Sequence, residues 1–468
     1  MHPNDMKFTE AEIVLNVNNI GFDTLVCQTE IQTDEDKEKY HEQGYPFVFT
    51  ESEFKNMLPD VDVKNIYYTP SFGQSAVYFN KETLAACPCH IEFAMLPYAE
   101  GEKFIKGTQK AIKATEEEVQ RKEFRHCLLA LPEAMSVEYF NLLLDKYPGG
   151  GEEIPDLFRL FFSIYLTASF GFDRLKPGVF EKIIAARTEK DREEVITALA
   201  DFPDEIRVYR GGSTTISRPV EKATSWTTSI STALFFAGRL GTDSGYIAAG
   251  SIPKSKVIYC QLETMEKEII VEPGEVRVEE TLNLLGVNDV APYFENIVPL
   301  YHEYRGRLED IEFEMDSDEH GKLHSARVLL MALMIAEMKG LPKSSKRVLA
   351  EAAIYHDSQR YHDGEDTEHG FLSADYYRGD VYDIDPLVEF IIEYHCRPDE
   401  EGYQAIQNTR ELSKRRTKSR QLFDIFKDAD ALDRVRFGLQ DLDINQLRTP
   451  EAKLLPLFAH VSVRMITL

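Results

Sequence analysis

The sequence predicts a multidomain α+β protein, and three observations predict it. The chain has 468 residues, and roughly 100–200 residues make one domain. Its pattern changes twice: short β-like runs and turns over 1–147, helices and then short strands over 148–290, and helices alone over 300–468. Helices followed by strands, within one stretch, mark an α+β unit. The run Pro148-Gly149-Gly150-Gly151 punctuates the chain and is a candidate boundary.

Composition narrows the function classes. Hydrophobic residues at 43% and charged residues at 28% are those of a globular protein. The 53 Lys and Arg against 80 Asp and Glu leave a net charge of −27. A chain this acidic has no excess cations to release phosphate counterions, so neither nucleic acid nor an anionic membrane is an expected partner. No run of about 20 apolar residues predicts a membrane span, and the polar, acidic start lacks a basic segment followed by an apolar one. The expectation is a cytoplasmic protein, or an effector or toxin delivered into another cell without a signal peptide. The six cysteines lack the spacing of a disulfide framework. Cys87-Pro88-Cys89-His90 has no second ligand pair at a matching distance.

Taken in order, 13–17, 47–50 and 76–79 read as strands, and 102–131 as a helix with apolar residues between charges. Residues 157–166, 179–186 and 192–200 read as helices. Strands follow at 207–209, 246–249, 257–261, 268–271 and 276–278. From about residue 301 the helical period returns, with helices at 325–338, 345–355, 386–395 and 421–437. The role of residues 1–147 is left open between partner recognition and a structural extension.

The middle segment carries the first chemistry. Arg210 ends a strand before Gly211 and Gly212, a pattern that leaves room for a ligand to approach the backbone, and a guanidinium forks onto phosphate or ribose oxygens. Three hydroxyls, Thr227-Thr228-Ser229, precede an apolar helix containing Phe235 and Phe236. Glu266-Lys267-Glu268 opens an apolar strand, and residues i and i+2 of a strand share a face, which predicts two carboxylates converging on one pocket.

In this order the three motifs resemble the R-S-E class of mono-ADP-ribosyltransferases, the arginine-modifying branch, over roughly residues 155–285. This chain carries a threonine at the first hydroxyl of that motif. The resemblance implies a transferase-like β-core with helices before it. It also implies NAD as substrate, with Glu268 on the ribose 2′-hydroxyl and Glu266 positioning and deprotonating the acceptor. Arg210 and Gly211, with Thr227, Thr228 and Ser229, would bind the dinucleotide. The implied reaction moves ADP-ribose to a protein acceptor, arginine by the class, and releases nicotinamide.

The C-terminal segment carries a second constellation. Six of the twelve histidines fall between His320 and His395. His324 opens an apolar helix, His356-Asp357 ends the next, His369 and His395 follow, and Asp428-Ala429-Asp430 sits in the last strong helix. Imidazole nitrogen with carboxylate oxygen suits divalent Mn, Fe, Ni, Mg or Zn. The ordered set resembles the HD superfamily of phosphohydrolases over about residues 318–438, which implies an all-α domain. By that resemblance His324, His356, Asp357 and Asp430 hold the metal. Asp430 is preferred to Asp428 because a small, leucine-bearing turn follows it. His369 and His395 are extra, for a second metal, a phosphate or a leaving group. The leading expectation is therefore a transferase coupled to a metal-binding domain that hydrolyses or senses a nucleotide. The alternatives are a phosphohydrolase with a degenerate NAD-binding module, and a nucleotide sensor without turnover.

Overall fold

The computed structural model describes residues 21–45, 47–70, 76–90, 98–166, 168, 172–213, 219–239, 241, 244–315, 317, 319–364 and 366–466. The expected strand at 13–17 lies outside them. The fold is mixed α+β with two antiparallel sheets and many helices. The chain forms two compact units, Met1–Glu194 and Val195–Leu468. The Pro148–Gly151 turn lies inside the first unit. No described helix is long and apolar enough to cross a membrane.

The first unit holds a four-stranded sheet of β1 (Val26–Cys27), β2 (Ile66–Tyr68), β3 (Ala76–Phe79) and β4 (Ala86–Pro88), in that order. Residues 47–50, expected as a strand, instead lead into a helix. Thr50 caps α2 (Glu51–Met57), which follows α1 (Asp34–Glu42), and its hydroxyl accepts from the Glu53 N–H while Glu53 bonds back. The expected helix over 102–131 is two, α3 (Tyr98–Gln120) and α4 (Arg125–Ala130), separated where Lys122 takes a left-handed φ of 61°. Helices α5 (Glu133–Lys146), α6 (Leu157–Tyr165) and α7 (Val179–Ala185) complete this unit, and α8 (Glu189–Ala198) runs across the divide.

The second unit begins with a six-stranded sheet. Its strands are β5 (Glu205–Gly212), β6 (Ser225–Thr227), β7 (Ser244–Pro253), β8 (Val257–Gln261), β9 (Glu268–Val271) and β10 (Arg277–Leu285), in the order β10-β7-β5-β6-β9-β8. All four residues of β9 are buried, which is why its sequence after Glu268 is a continuous apolar run rather than an alternation. Helix α9 (Ile230–Gly238) packs on β5, and a Cβ at Gly211 would lie 1.7 Å from the Ala233 carbonyl oxygen. The glycine is required for this close approach.

No strand follows β10 among the described residues. Helix α10 (Val287–Asp310) starts well before the expected residue 301, its apolar period interrupted by Pro292 and Pro299. Helix α11 (Lys322–Met338) is buried on every side from His324 to Ala336, as expected of a central helix. Helices α10, α12 (Lys343–Tyr355) and α17 (Arg416–Leu432) pack on it, and α13 (His369–Asp380), α14 (Pro386–Tyr394), α15 (Asp399–Asn408) and α16 (Arg410–Ser413) lie between the last two in the chain. Two further helices, α18 (Pro450–Lys453) and α19 (Pro456–Met465), close the chain. One hydrophobic core joins Ala233, Leu234 and Ile247 of the sheet region to these helices.

Candidate metal centre and a second cleft

The histidines meet because helix ends meet. His324 lies in the first turn of α11, His356 and His395 cap the C-termini of α12 and α14, and His369 opens α13. Each is buried, as is Asp357. His324 Nε2 lies 3.1 Å from His356 Nε2, 3.3 Å from Asp430 Oδ1 and 3.6 Å from Asp357 Oδ2. On the other side of Asp357, Oδ1 lies 3.1 Å from His369 Nε2 and 3.2 Å from His395 Nε2, and these two nitrogens are 2.9 Å apart. Asp357 therefore stands between two pairs of imidazoles. Asp428 is elsewhere: its buried carboxylate accepts from the N–H groups of Arg448 and Thr449 and from the Thr449 hydroxyl, tying down the following loop.

Outer partners orient three of the rings. His356 Nδ1 faces the Ala353 carbonyl at 2.9 Å and His395 Nδ1 the Ile392 carbonyl at 2.7 Å, so each Nδ1 carries the proton and each Nε2 presents a lone pair. His324 Nδ1 faces Asp433 Oδ2 at 2.7 Å, and Arg327 grips the same carboxylate with two N–H groups. Lone pairs and carboxylates thus face one another across about 3 Å, an arrangement that demands positive charge between them. The same demand shows in the titrations. Burial pulls His324 down, but its bonds to Asp430 and Asp433 override that and lift it to about 9. Burial pushes His356 down to about 3. Burial opposes ionisation of Asp357, yet the surrounding imidazoles hold it well below the usual carboxylate range, and Asp430 is lowered in the same way. The set fits a divalent cation: nitrogen and oxygen donors, fixed tautomers and a buried, charge-hungry interior.

The second candidate site is at the sheet, around the buried Glu268. Ser225 Oγ donates to Glu268 Oε1 at 2.5 Å, and Arg210 Nη1 donates to the Ser225 carbonyl at 2.5 Å. Burial pushes the Glu268 carboxyl up to about 7; the Ser225 bond opposes this, and the nearby Glu266 charge adds to it. Two expectations are corrected here. Glu266 does not share a strand face with Glu268: β9 starts at Glu268, Lys267 takes a left-handed φ of 45°, and Glu266 is exposed in the turn before it. Gly211 and Gly212 leave no room for a ligand, since the α9 backbone fills one space and the Tyr246 ring the other. The hydroxyl that bonds to Glu268 is that of Ser225; Thr227 and Ser229, which the resemblance assigns to the dinucleotide, bond elsewhere.

Those two have other partners. Thr227 Oγ1 donates to the Glu266 carbonyl at 2.6 Å, and Ser229 caps α9 by accepting from the Thr232 N–H at 3.2 Å. The Thr228 N–H donates to the Lys267 carbonyl at 3.2 Å. Together they fasten the turn that carries Glu266. Sequence reasoning passed over Ser225 and Asp433. A serine two residues before the recognised hydroxyl pair, and an aspartate one helical turn after Asp430, were the signals available. Comparison with protein-family models, with curated proteins and with solved structures finds no match for this chain.

Proposed function

We infer that the helical part of the second unit is a metal-dependent phosphoester hydrolase. The observation that carries this reading is the convergence of four imidazole Nε2 atoms on the buried Asp357 carboxylate. His324, His356, Asp357 and Asp430 would hold one divalent ion, and His369, His395 and the other oxygen of Asp357 a second. The imidazole-rich set favours Mn, Fe, Ni or Zn over Mg. When bound, the metal supplies Lewis acidity toward a phosphoryl oxygen and a more acidic water. The chain does the remaining work. Asp433 and the Ala353 and Ile392 carbonyls fix three rings, the buried helices exclude bulk water, and Asp430, whose side chain is 32% exposed, marks the side open to substrate. The test is metal content of the purified full chain, with hydrolysis of p-nitrophenyl phosphate, its bis-ester and a nucleotide panel in Mn²⁺. Bound metal and turnover lost in H356A support the reading; a wild-type chain that takes up no metal and cleaves none of these ends it.

A second reading rests on the buried Ser225–Glu268 pair. As a mono-ADP-ribosyltransferase, the chain would break the bond from the NAD ribose C1′ to nicotinamide, which leaves with the bonding electrons. Glu268 accepts from the ribose 2′-hydroxyl, and that bond strengthens as positive charge grows on the ring. A guanidinium nitrogen of the acceptor protein then bonds to C1′, and its proton passes to Glu266. The exposed position of Glu266 suits an acceptor arriving from solvent, and Arg210 would bind the dinucleotide phosphates. Incubation with labelled NAD and a cell lysate tests this. A labelled band lost in E268Q supports it, and absence of both label and nicotinamide release in wild type overturns it.

A further inference from the structure

We propose that Arg436 is the phosphate-binding residue of the metal centre, presenting its guanidinium to the phosphoryl oxygens of an organic phosphate. The inference rests on the hydrolase reading. Arg436 lies in the short turn Asp433–Arg436 that follows α17. Its side chain is only 10% exposed, and its Nε is buried with no hydrogen-bond partner. Nη1 donates to the Asp433 carbonyl at 3.2 Å and reaches Asp433 Oδ2 at a long 3.3 Å, Nη2 reaches His320 Nε2 at 3.4 Å, and the guanidinium lies 4.2 Å from the centre of the Phe437 ring. The Asp430 charge also acts on it.

Asp433 does not account for this arginine. That carboxylate already receives two N–H groups from Arg327, at 2.5 and 3.0 Å, and one from His324. Asp433 is thus shared by two guanidinium groups and an imidazole, and Arg436 keeps a buried, unused N–H, a costly state that an anion relieves. The surroundings aim it. His320, 5.6 Å ring to ring from His324, donates from Nδ1 to Asp363, which also accepts from Ser317. Its remaining nitrogen faces Arg436 Nη2, which ties the guanidinium to the residue next to the His324 ring. The groove that shares Ser317 with this cluster, about 690 Å³, is lined by Glu309, Asp310, Glu312 and Glu314 and repels an anion. A planar fork suits the tetrahedral oxygens of phosphate better than a point charge does.

The experiment titrates inorganic phosphate into the Mn²⁺-loaded full chain by calorimetry, with metal content measured in parallel. R436Q should weaken phosphate binding tenfold or more, R436K by a smaller factor, and both should keep the wild-type Mn²⁺ content. R327Q, which removes the support of Asp433, should lower metal content. The proposal is overturned if R436Q binds phosphate within twofold of wild type, or if it sheds Mn²⁺ as R327Q does, which would make Arg436 a prop for Asp433. R436K keeps the charge and carries the test if R436Q does not fold. Failure of the hydrolase reading looks different: wild type then takes up no Mn²⁺, and phosphate binding by the metal-free chain, compared with the same variants, still decides the role of Arg436.

Discussion

The buried histidine–aspartate cluster, the candidate metal centre, and the Glu268 site lie in the same unit and are built in opposite ways. At the metal centre the ends of several helices deliver buried donors to one point, and a second ring of groups holds them there. Asp433 backs His324, and main-chain carbonyls back His356 and His395. At the cleft one buried carboxylate stands on a strand with a single hydroxyl partner, and its companion Glu266 sits exposed on a turn. The difference teaches what each site needs. In the histidine–aspartate cluster several donors meet at close range, so three of the rings are fixed by partners behind them. At Glu268 only one carboxylate is buried, so one hydroxyl and the surrounding strands hold it, and burial raises its pKa instead.

The largest expected effect tests the surrounded site. D357N removes the group that stands between the two imidazole pairs and should cut phosphoester turnover by about a thousandfold or more, with loss of bound metal by elemental analysis. A D357N chain with full metal content would show that the pairs act without it. Next come two aspartates two residues apart. D428A should destabilise by about 3 kcal/mol or more, because the Thr449 and Arg448 groups lose a buried acceptor, yet the folded fraction should keep its metal. D430A should do the reverse, with metal lost and the melting temperature of the metal-free chain little changed. Equal behaviour of the two variants would break the assignment. Smaller still, D433N should reduce metal affinity by about 10–100-fold through the misoriented His324 ring, read by competition with a chelating dye.

The cleft gives the gentlest effects. Glu268 titrates near 7 in the fold against about 4.5 unfolded. Between these values the native state holds more protons than the unfolded state, so stability contributed at low pH is lost as pH rises from about 4.5 to 7. E268Q should flatten that slope, which is at most about 1.4 kcal/mol per pH unit, and melting curves of both chains from pH 5 to 8 would show it. An unchanged slope would mean Glu268 is ionised throughout. S225A removes the bond that holds the Glu268 pKa down, so that pKa should rise, with a cost of about 1 kcal/mol in stability.

By itself the sequence determined the α+β character, the helical C-terminal region and the residues His324, His356, Asp357, His369, His395 and Asp430, because clustered histidines on apolar helices are a pattern that spacing exposes. The preference for Asp430 over Asp428 rested on the resemblance to the phosphohydrolase pattern, and in the structure Asp430 faces His324 while Asp428 bonds Arg448 and Thr449. Only the tertiary structure decided the rest. Ser225 meets Glu268 because the pairing of β6 with β9 sets Thr227 opposite Glu268 and leaves Ser225 on the diagonal, a register no local pattern encodes. Glu266 leaves the strand face because Lys267 turns left-handed, overriding the alternation on which the expectation rested. Gly211 serves the packing of α9 rather than a ligand, since what approaches a glycine comes from elsewhere in the chain. Asp433 and Arg436 gain their roles from His324, Arg327 and His320, more than a hundred residues earlier. Side-chain type is written locally, whereas the partner that gives a buried charge its meaning is chosen by packing.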